Sequence, residues 1–242
     1  EKHPLKHRED IAITSNNLAA NLMSQGKYEE AQIYFENSLE MIRLINKEDS
    51  VTEAIMLFNL AQNFRRQYKQ GESQTYFSQS VEMVQRVLGH DHPVVANLKH
   101  GLAVNFREVG KVKESNKINN EIHEIYKKNY DKDSNRIADL YTFLSRDAED
   151  LKDYEKAEFY FSEAIRIYSL NRGRDTSEVS KELSNFGAFL DSMARFDEAE
   201  KKHIEAIKII ETIGKGTLAH YKRKHFLAKH YFKRGKYKEA LL

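Results

Sequence analysis

Small and apolar residues recur at helical spacing in two neighbouring stretches near the start of the chain. Leu18, Ala19 and Leu22 stand at positions i, i+1 and i+4, which is the spacing of one buried helix face. The second stretch keeps the same period with Ala31, Tyr34, Phe35, Ser38 and Ile42. Gly26 lies between the stretches, where a helix can end because glycine takes a left-handed backbone without steric cost. The pattern predicts a helix, a tight turn and a second helix.

This two-helix pattern repeats with a period of about 42 residues, since that shift carries Leu18-Ala19 onto Leu60-Ala61. Later copies keep the same pair of positions as Leu102-Ala103, Leu144-Ser145, Phe186-Gly187 and Leu227-Ala228. A fixed period of this size is typical of a solenoid, in which each unit buries its apolar face only against its neighbours. We expect one solenoid domain over residues 1–242. Its units are predicted at about 11–52, 53–94, 95–136, 137–178, 179–219 and 220–242, the last one truncated.

Two segments depart from the pattern. Residues 1–10 are polar and contain Pro4, so they are predicted to be a loop or the tail of a preceding unit. In the second unit Tyr68 stands where the first unit has Gly26, and Gly71 follows three residues later. The turn glycine of that unit is therefore expected to be displaced.

The composition narrows the class of protein. Charged residues make up 31% of the chain and hydrophobic residues 40%, enough to fold and to keep long helices soluble. No apolar run approaches the roughly 20 residues of a membrane helix, and the chain opens on Glu1-Lys2-His3 rather than on an apolar leader. Cysteine is absent, which excludes disulfides and thiolate chemistry and agrees with a reducing compartment. We expect a cytoplasmic protein without a membrane span.

Three segments carry a resemblance to a known family. They are the NNLA segment from Asn16, the GKYEEA segment from Gly26, and the inter-repeat run from Leu88 to Pro93. By these segments and the 42-residue spacing, the chain resembles the tetratricopeptide repeat family, specifically the kinesin-light-chain type. The resemblance implies an all-α, right-handed superhelical solenoid of about six helix-turn-helix units. It also implies that the first helix of each unit lines a concave groove, where such repeats usually bind extended peptides.

The residue before each Leu-Ala pair is expected to face that groove, and it is asparagine at Asn17, Asn59 and Asn185. An asparagine amide offers both a donor and an acceptor, so it can hold a peptide backbone whatever the ligand's side chains are. The alternative is that Asn17 and Asn59 cap or bridge adjacent helices. A second series lies one turn further along, with no role assigned from the sequence: Asn21, Asn63, Asn105 and Asp147.

Basic residues are expected on the same face in units two and three, at Arg65, Arg66 and Arg107. Planar guanidinium groups suit carboxylates, so an acidic peptide is the predicted ligand. The alternative is that these are ordinary solvated charges. Unit four reverses the sign with Asp139, Asp147, Glu149 and Asp150, which would favour a ligand of patterned charge.

The C-terminal end is strongly basic, with nine Lys and Arg residues against one Glu from Lys215 onward. The run from Tyr221 to His225 could be a nuclear-import patch or contact an anionic surface, but it spreads around a predicted helix, which favours a solvated face or a junction to further repeats. Nucleic-acid binding needs a continuous basic path, and the acidic residues of unit four interrupt it. No nucleic-acid partner is predicted.

Motifs for metal or catalytic chemistry are weak. His90 and His92 flank Asp91 in a connection where Pro93 is expected to start the next helix, so no metal site is predicted. The segment from Gly214 to Thr217 lacks the spacing of a phosphate loop. Because catalytic groups must converge in a pocket and nothing suggests that they do, we expect neither an enzyme nor a bound cofactor.

The sequence therefore predicts a protein–protein interaction module or adaptor. It is expected to bind an acidic peptide, extended or as a short helix, in the concave groove, as a monomer or with weak self-association. Two alternatives remain open. The repeats could form a regulatory or sensor array of a larger enzyme or signalling ATPase, or a self-associating assembly scaffold.

Overall fold

The protein is entirely helical over the residues that the structure, a computed structural model, describes: 3–46 and 48–241. These residues form eleven α-helices and no β-strand. In chain order the helices are α1 (His3–Ser24), α2 (Tyr28–Ile45), α3 (Val51–Arg66), α4 (Gln70–Leu88), α5 (Pro93–Glu108), α6 (Val112–Asn129), α7 (Asn135–Asp150), α8 (Tyr154–Arg172), α9 (Ser177–Ser192), α10 (Phe196–Gly214) and α11 (Leu218–Lys233). The all-α class predicted from the sequence is confirmed.

Consecutive helices pack in pairs. The hairpins are α1 with α2, α3 with α4, α5 with α6, α7 with α8, and α9 with α10, and α11 packs on both α9 and α10. The predicted series of helix-turn-helix repeats is confirmed. Backbone contacts divide the chain into two compact units, which we call unit 1 (residues 1–129) and unit 2 (residues 130–242). From here on, each of the shorter predicted units of the sequence is called a repeat.

The start of the chain differs from the sequence prediction. Residues 3–10 are not a loop, because α1 begins at His3. Pro4 lies in the first turn of that helix, where a missing backbone N–H breaks no intrahelical hydrogen bond. Residues 1 and 2 lie outside the described part of the chain.

The turns within the hairpins share one left-handed residue, which is glycine at Gly26 (φ 79°) and at Gly110 (φ 78°). In the second hairpin that residue is Tyr68 itself, with φ 60°. The expectation of a turn displaced to Gly71 is therefore wrong. The backbone closes identically in both cases, since the N–H of Lys27 donates to the carbonyl of Leu22 and that of Lys69 to the carbonyl of Phe64, each at 3.0 Å. This six-to-one hydrogen bond fixes the turn whichever residue occupies it.

Replacing Tyr68 with glycine is expected to raise the free energy of unfolding by about 0.5–1 kcal/mol, because a side chain in the left-handed region costs about 1–2 kcal/mol and glycine avoids it. The Tyr68 residue is 86% exposed, so little packing is lost. Urea unfolding followed by circular dichroism measures the change.

The matched control is Gln79→Gly in the middle of α4, which is expected to lower stability by about 1 kcal/mol. Equal destabilisation by both glycines would contradict a left-handed Tyr68.

Small residues allow the helices to approach closely. Ala19, Ala31 and Ser38, which recur in the sequence pattern, are all fully buried. Serines at such contacts also satisfy backbone groups of the neighbouring helix, because the hydroxyl of Ser80 donates to the carbonyl of Ala54 at 2.6 Å. The repeat pattern is therefore a packing pattern.

Large aromatic residues fill the space around these contacts. In unit 2 the ring of Phe161 stacks on Phe186 with centroids 5.4 Å apart and contacts Phe189 at 5.5 Å. Ala148, Ala157 and Ala199 belong to the same cluster. This core holds α7, α8, α9 and α10 together, so it positions the side chains of unit 2 described below.

Candidate functional site

Unit 1 presents a surface formed by the first helices of its three hairpins, α1, α3 and α5, which contact one another in sequence. We call it the odd-helix face of unit 1. Five of the six residues predicted as a binding site belong to these helices: Asn17, Asn59, Arg65, Arg66 and Arg107. Asn185 belongs to α9 in unit 2 and is described separately.

The two predicted asparagines have different environments. Asn17 is exposed, and its amide makes no hydrogen bond to another described residue. Asn59 is half-buried, and its Nδ2 donates to Oδ1 of Asn16 at 3.3 Å. The Asn59 amide thus bridges α3 to α1 directly beside Asn17. Asn17 offers a free donor and acceptor, while Asn59 keeps its carbonyl oxygen for a ligand.

The three predicted arginines also differ. The Nη1 of Arg65 lies 2.6 Å from Oε1 of Glu108 on α5, and the Arg65 side chain is only 16% exposed. This ion pair neutralises most of the charge that Arg65 would present to a ligand. Arg66 is exposed and Arg107 is half-buried. The structure therefore places Arg65 at the boundary between α3 and α5, next to Glu108, which follows Arg107 in the chain.

Two members of the second series, Asn63 and Asn105, connect neighbouring helices. Asn63 is fully buried, and its Nδ2 donates to the carbonyl of Tyr28 at 2.9 Å. Asn105 is also fully buried, and its Oδ1 accepts from the hydroxyl of Ser73 at 3.0 Å. Each amide thus ties the first helix of a hairpin to the second helix of the preceding one. Sequence reasoning left this role unassigned because the partners lie 32 and 35 residues away.

Unit 2 contains a basic cavity of about 350 Å³ between α9 and α11. Lys181, Asn185, Leu218, Ala219, Lys222 and Arg223 line it. Arg223 is only 7% exposed, and its Nε donates to the hydroxyl of Ser180 at 3.2 Å. Burial lowers the pKa of Arg223 from its usual value, while the charge of Glu182 opposes that change.

The interpretation of the basic run as a solvated face is therefore wrong for Arg223 and holds for the exposed Lys222. The Asn185 amide donates to Oε2 of Glu182 at 3.2 Å. Asn185 thus lies at the rim of a pocket whose charge is mainly positive.

A cluster of two histidines and an aspartate lies in the interior of unit 2. Nε2 of His203 is 3.1 Å from Oδ2 of Asp191, and Nδ1 of His230 is 2.6 Å from Oδ1 of the same carboxylate. The histidines are 1% and 0% exposed. Burial raises the pKa of Asp191, but the hydrogen bonds from both imidazoles outweigh it and leave that pKa below its usual range. The carboxylate is therefore held charged between two rings.

The sequence analysis did not identify this cluster, although the repeat register contains a signal for it. A shift of 42 residues carries Phe161 onto His203. A histidine therefore occupies a position that holds a fully buried phenylalanine in three other repeats: Phe35, Phe77 and Phe161. A polar residue at a core position is informative because it must find a partner there.

Comparison with known families identifies the class of protein. A family profile described as tetratricopeptide repeat matches residues 10–79 and 94–169, which is more than half of the chain. The chain belongs to the tetratricopeptide repeat family. A comparison with curated proteins found no match.

Solved structures with low sequence identity share the fold. A putative kinesin light chain from Podosopora anserina with nearly identical TPR-like repeats is 16% identical, with a TM-score of 0.74, covering 89% of this chain and 100% of that one. BtubC (BKLC) from P. vanneervenii is 17% identical, with a TM-score of 0.69, covering 98% and 87%.

The apo quorum sensor NprR from B. thuringiensis is 14% identical, with a TM-score of 0.69, covering 96% of this chain and 62% of NprR. At these identities the similarities establish the fold. Together with the family profile they confirm the solenoid class of tetratricopeptide-like repeats. No helix in the described part of the chain is long and apolar enough to cross a membrane.

Proposed function

We propose that this chain is a protein-interaction module that binds an acidic peptide, extended or as a short helix, on the odd-helix face of unit 1. The observation that carries the proposal is the exposed amide of Asn17 beside Asn59, on the same set of helices as Arg66 and Arg107. Amides suit a peptide backbone and guanidinium groups suit carboxylates. This arrangement needs neither a cofactor nor catalysis.

Relatives of known structure support peptide binding as the general mode. NprR has been crystallised in complex with its cognate peptide NprX, and a Rap protein in complex with Competence and Sporulation Factor. Each shares 15% sequence identity with this chain, so they support the mode of binding and leave the ligand's chemistry to be argued from this chain's own residues.

Each proposed contact has a physical role. Asn17 and the free oxygen of Asn59 hold the peptide backbone, and Arg66 and Arg107 contact acidic side chains. Arg65 joins them when a ligand carboxylate replaces Glu108, whose side chain is 42% exposed and therefore able to turn away. Because this exchange offsets part of the new contact energy, and because a short peptide must be ordered, we expect modest affinity.

Asn185 is assigned to a separate contact in unit 2, at the basic cavity lined by Lys181, Lys222 and Arg223. An acidic group there would meet three cations, of which Lys181 is paired with Glu182 at 3.3 Å. We propose that the chain acts as one array over residues 1–242, as a monomer or with weak self-association, in the cytoplasm.

The test is binding of short fluorescent peptides of graded Asp and Glu content, measured by anisotropy at low and physiological salt. Arg66→Glu/Arg107→Glu is expected to weaken acidic-peptide binding about tenfold or more, because charge-assisted hydrogen bonds contribute about 1.5–3 kcal/mol each. Asn17→Ala/Asn59→Ala is expected to weaken it about tenfold, because two neutral hydrogen bonds contribute about 0.5–1.5 kcal/mol each. Affinity of the parent chain should fall as salt rises.

The matched control is Lys113→Glu/Lys117→Glu, which makes the same charge change at exposed positions on α6. It should bind like the parent. Equal weakening by the control would show that the loss of binding follows from the change in net charge alone. Unchanged binding in both test variants, with circular dichroism unaltered, would place any peptide site elsewhere.

A second candidate is a sensor array within a larger signalling protein. A signal transduction ATPase with a tetratricopeptide repeat sensor, PH0952 from Pyrococcus horikoshii, aligns with 96% of this chain, and this alignment covers only 35% of that protein. This candidate predicts that the odd-helix face contacts another domain rather than a free peptide. The absence of binding to every peptide tested would favour it.

A further inference from the structure

We propose that Asp191, His203 and His230 form a binding site for a divalent transition-metal ion with zinc-like ligand preferences. The three side chains come from α9, α10 and α11. Their ligand atoms are two imidazole nitrogens and a carboxylate oxygen, all within 4.8 Å of one another. Imidazole nitrogen with carboxylate oxygen is a common ligand set for zinc and similar ions, with a fourth position left for water.

The distances are close to those that an ion requires. Zinc holds nitrogen and carboxylate oxygen at about 2.0–2.2 Å, which sets tetrahedral ligand atoms about 3.3 Å apart. Asp191 already lies 3.1 Å from Nε2 of His203 and 2.6 Å from Nδ1 of His230. The ligand atoms lie within 4.8 Å of one another, so ion binding requires the more distant ones to move closer. The carboxylate thus holds one nitrogen of each ring, each on a different oxygen.

The far nitrogens of the two rings provide a second, independent observation. Nδ1 of His203 and Nε2 of His230 are buried and have no hydrogen-bond partner. While each ring donates its proton to Asp191, the far nitrogen is an acceptor without a donor, which costs free energy in a protein interior. When an ion takes the near nitrogens, the protons occupy the far ones and these become donors. The exchange of proton positions favours His230, because its far nitrogen has the carboxylate of Glu200 at 3.8 Å.

A carboxylate lies near the far nitrogen of His230, just beyond direct hydrogen-bond distance. Oε2 of Glu200 lies 3.8 Å from Nε2 of His230. Histidines that bind metal ions usually donate their other N–H to such a carboxylate, which fixes the ring and raises its basicity. Glu200 is itself held by the hydroxyl of Tyr231 at 2.9 Å and by Arg234 at 3.0 Å. It is thus pre-positioned to orient the ring.

Local packing is shaped to hold the His203 ring. A Cβ at Gly187 would lie 2.7 Å from Cε1 of His203, so only glycine leaves room for the ring against α9. An ion at this point would join α11 to the α9–α10 hairpin. Since an ion that binds only the folded state stabilises it further as the free ion concentration rises above the Kd, ion binding would raise the stability of this end of unit 2.

The test starts from the full chain stripped with a chelator and dialysed. After addition of zinc and gel filtration, mass spectrometry of the eluted metal is expected to find about one zinc ion per chain. Zinc should also raise the melting temperature, and cobalt(II) should give the visible absorption bands of a tetrahedral site. The cobalt spectrum needs no substitution, so it remains informative if a variant fails to fold.

Variants separate the ligands from their surroundings. Asp191→Asn and His230→Gln should abolish zinc retention, and Glu200→Gln should weaken it about tenfold through its effect on the ring. His90→Gln/His92→Gln removes two exposed histidines of unit 1 and should leave zinc retention unchanged. Failure of the parent chain to retain zinc and to give the cobalt bands, or retention lost only with His90 and His92, would overturn the proposal.

Discussion

Replacing Phe161 with alanine is expected to lower the free energy of unfolding by about 3–5 kcal/mol, the usual cost of removing a buried phenylalanine side chain. Phe161 is 1% exposed, and its ring contacts Phe186 and Phe189 at 5.4 and 5.5 Å. The cost is high because the surrounding alanines are too small to fill the cavity. The free energy of unfolding of a domain is typically only about 5–15 kcal/mol. This single change therefore removes a large fraction of that free energy.

Phe159→Ala is the matched control for Phe161→Ala. Phe159 lies on the same helix, α8, but is 54% exposed, so its removal should cost less than about 1 kcal/mol. Urea unfolding measures both changes, and hydrogen exchange reports whether the loss lies in α8, α9 and α10. Similar costs for the two variants would contradict the packing described for unit 2.

Replacing Gly101 with alanine is expected to lower stability by about 2 kcal/mol even though alanine is the better helix former. A Cβ at Gly101 would lie 2.4 Å from Cε2 of Phe58 and 2.7 Å from Cε1 of Phe77. Forcing atoms into a packed core costs about 1–3 kcal/mol, occasionally more, whereas the helix propensity gained is about 1 kcal/mol. The steric cost therefore exceeds the gain.

Gly71→Ala is the matched control for Gly101→Ala. A Cβ at Gly71 meets nothing within 4 Å, and its backbone is helical, so only the propensity gain applies and stability should rise by up to about 1 kcal/mol. A second check is Phe58→Leu in the Gly101→Ala background, which should recover part of the loss by making room. If both alanines stabilise the protein, the close approach of α3, α4 and α5 is not as described.

Gly101 also bears on the proposed function. It occupies the position that holds Asn17 and Asn59 in the first two repeats, so α5 offers no side-chain amide there. On the odd-helix face of unit 1 the proposed backbone contacts therefore come from α1 and α3, while the proposed charge contacts come from α3 and α5. A peptide on this face would meet amides first and guanidinium groups next, which gives the ligand a direction.

The sequence predicts which residues make up the candidate site, but it does not predict the partners of those residues. The repeat register places Asn17 and Asn59 on equivalent positions, and both belong to the same face of unit 1. The register does not reveal that Arg65 is paired with Glu108 on the next hairpin. Ion pairs between hairpins depend on side-chain rotamers and on the distance between helices, and the sequence period encodes neither.

The sequence by itself determined the helices, the repeat and the family, because these follow from local rules. An apolar period of 3.6 residues defines each helix, and a 42-residue recurrence defines the stack. Buried positions such as Ala19 and Ala31 follow directly from that pattern.

Only the tertiary structure decided the features that depend on distant partners. Asn63 can be fully buried because its amide donates to the carbonyl of Tyr28, 35 residues earlier in the chain. The cluster of Asp191, His203 and His230 exists because three helices bring together residues up to 39 positions apart. A buried polar group is stable only with its partners in place, and those partners are fixed by the packing of the helices.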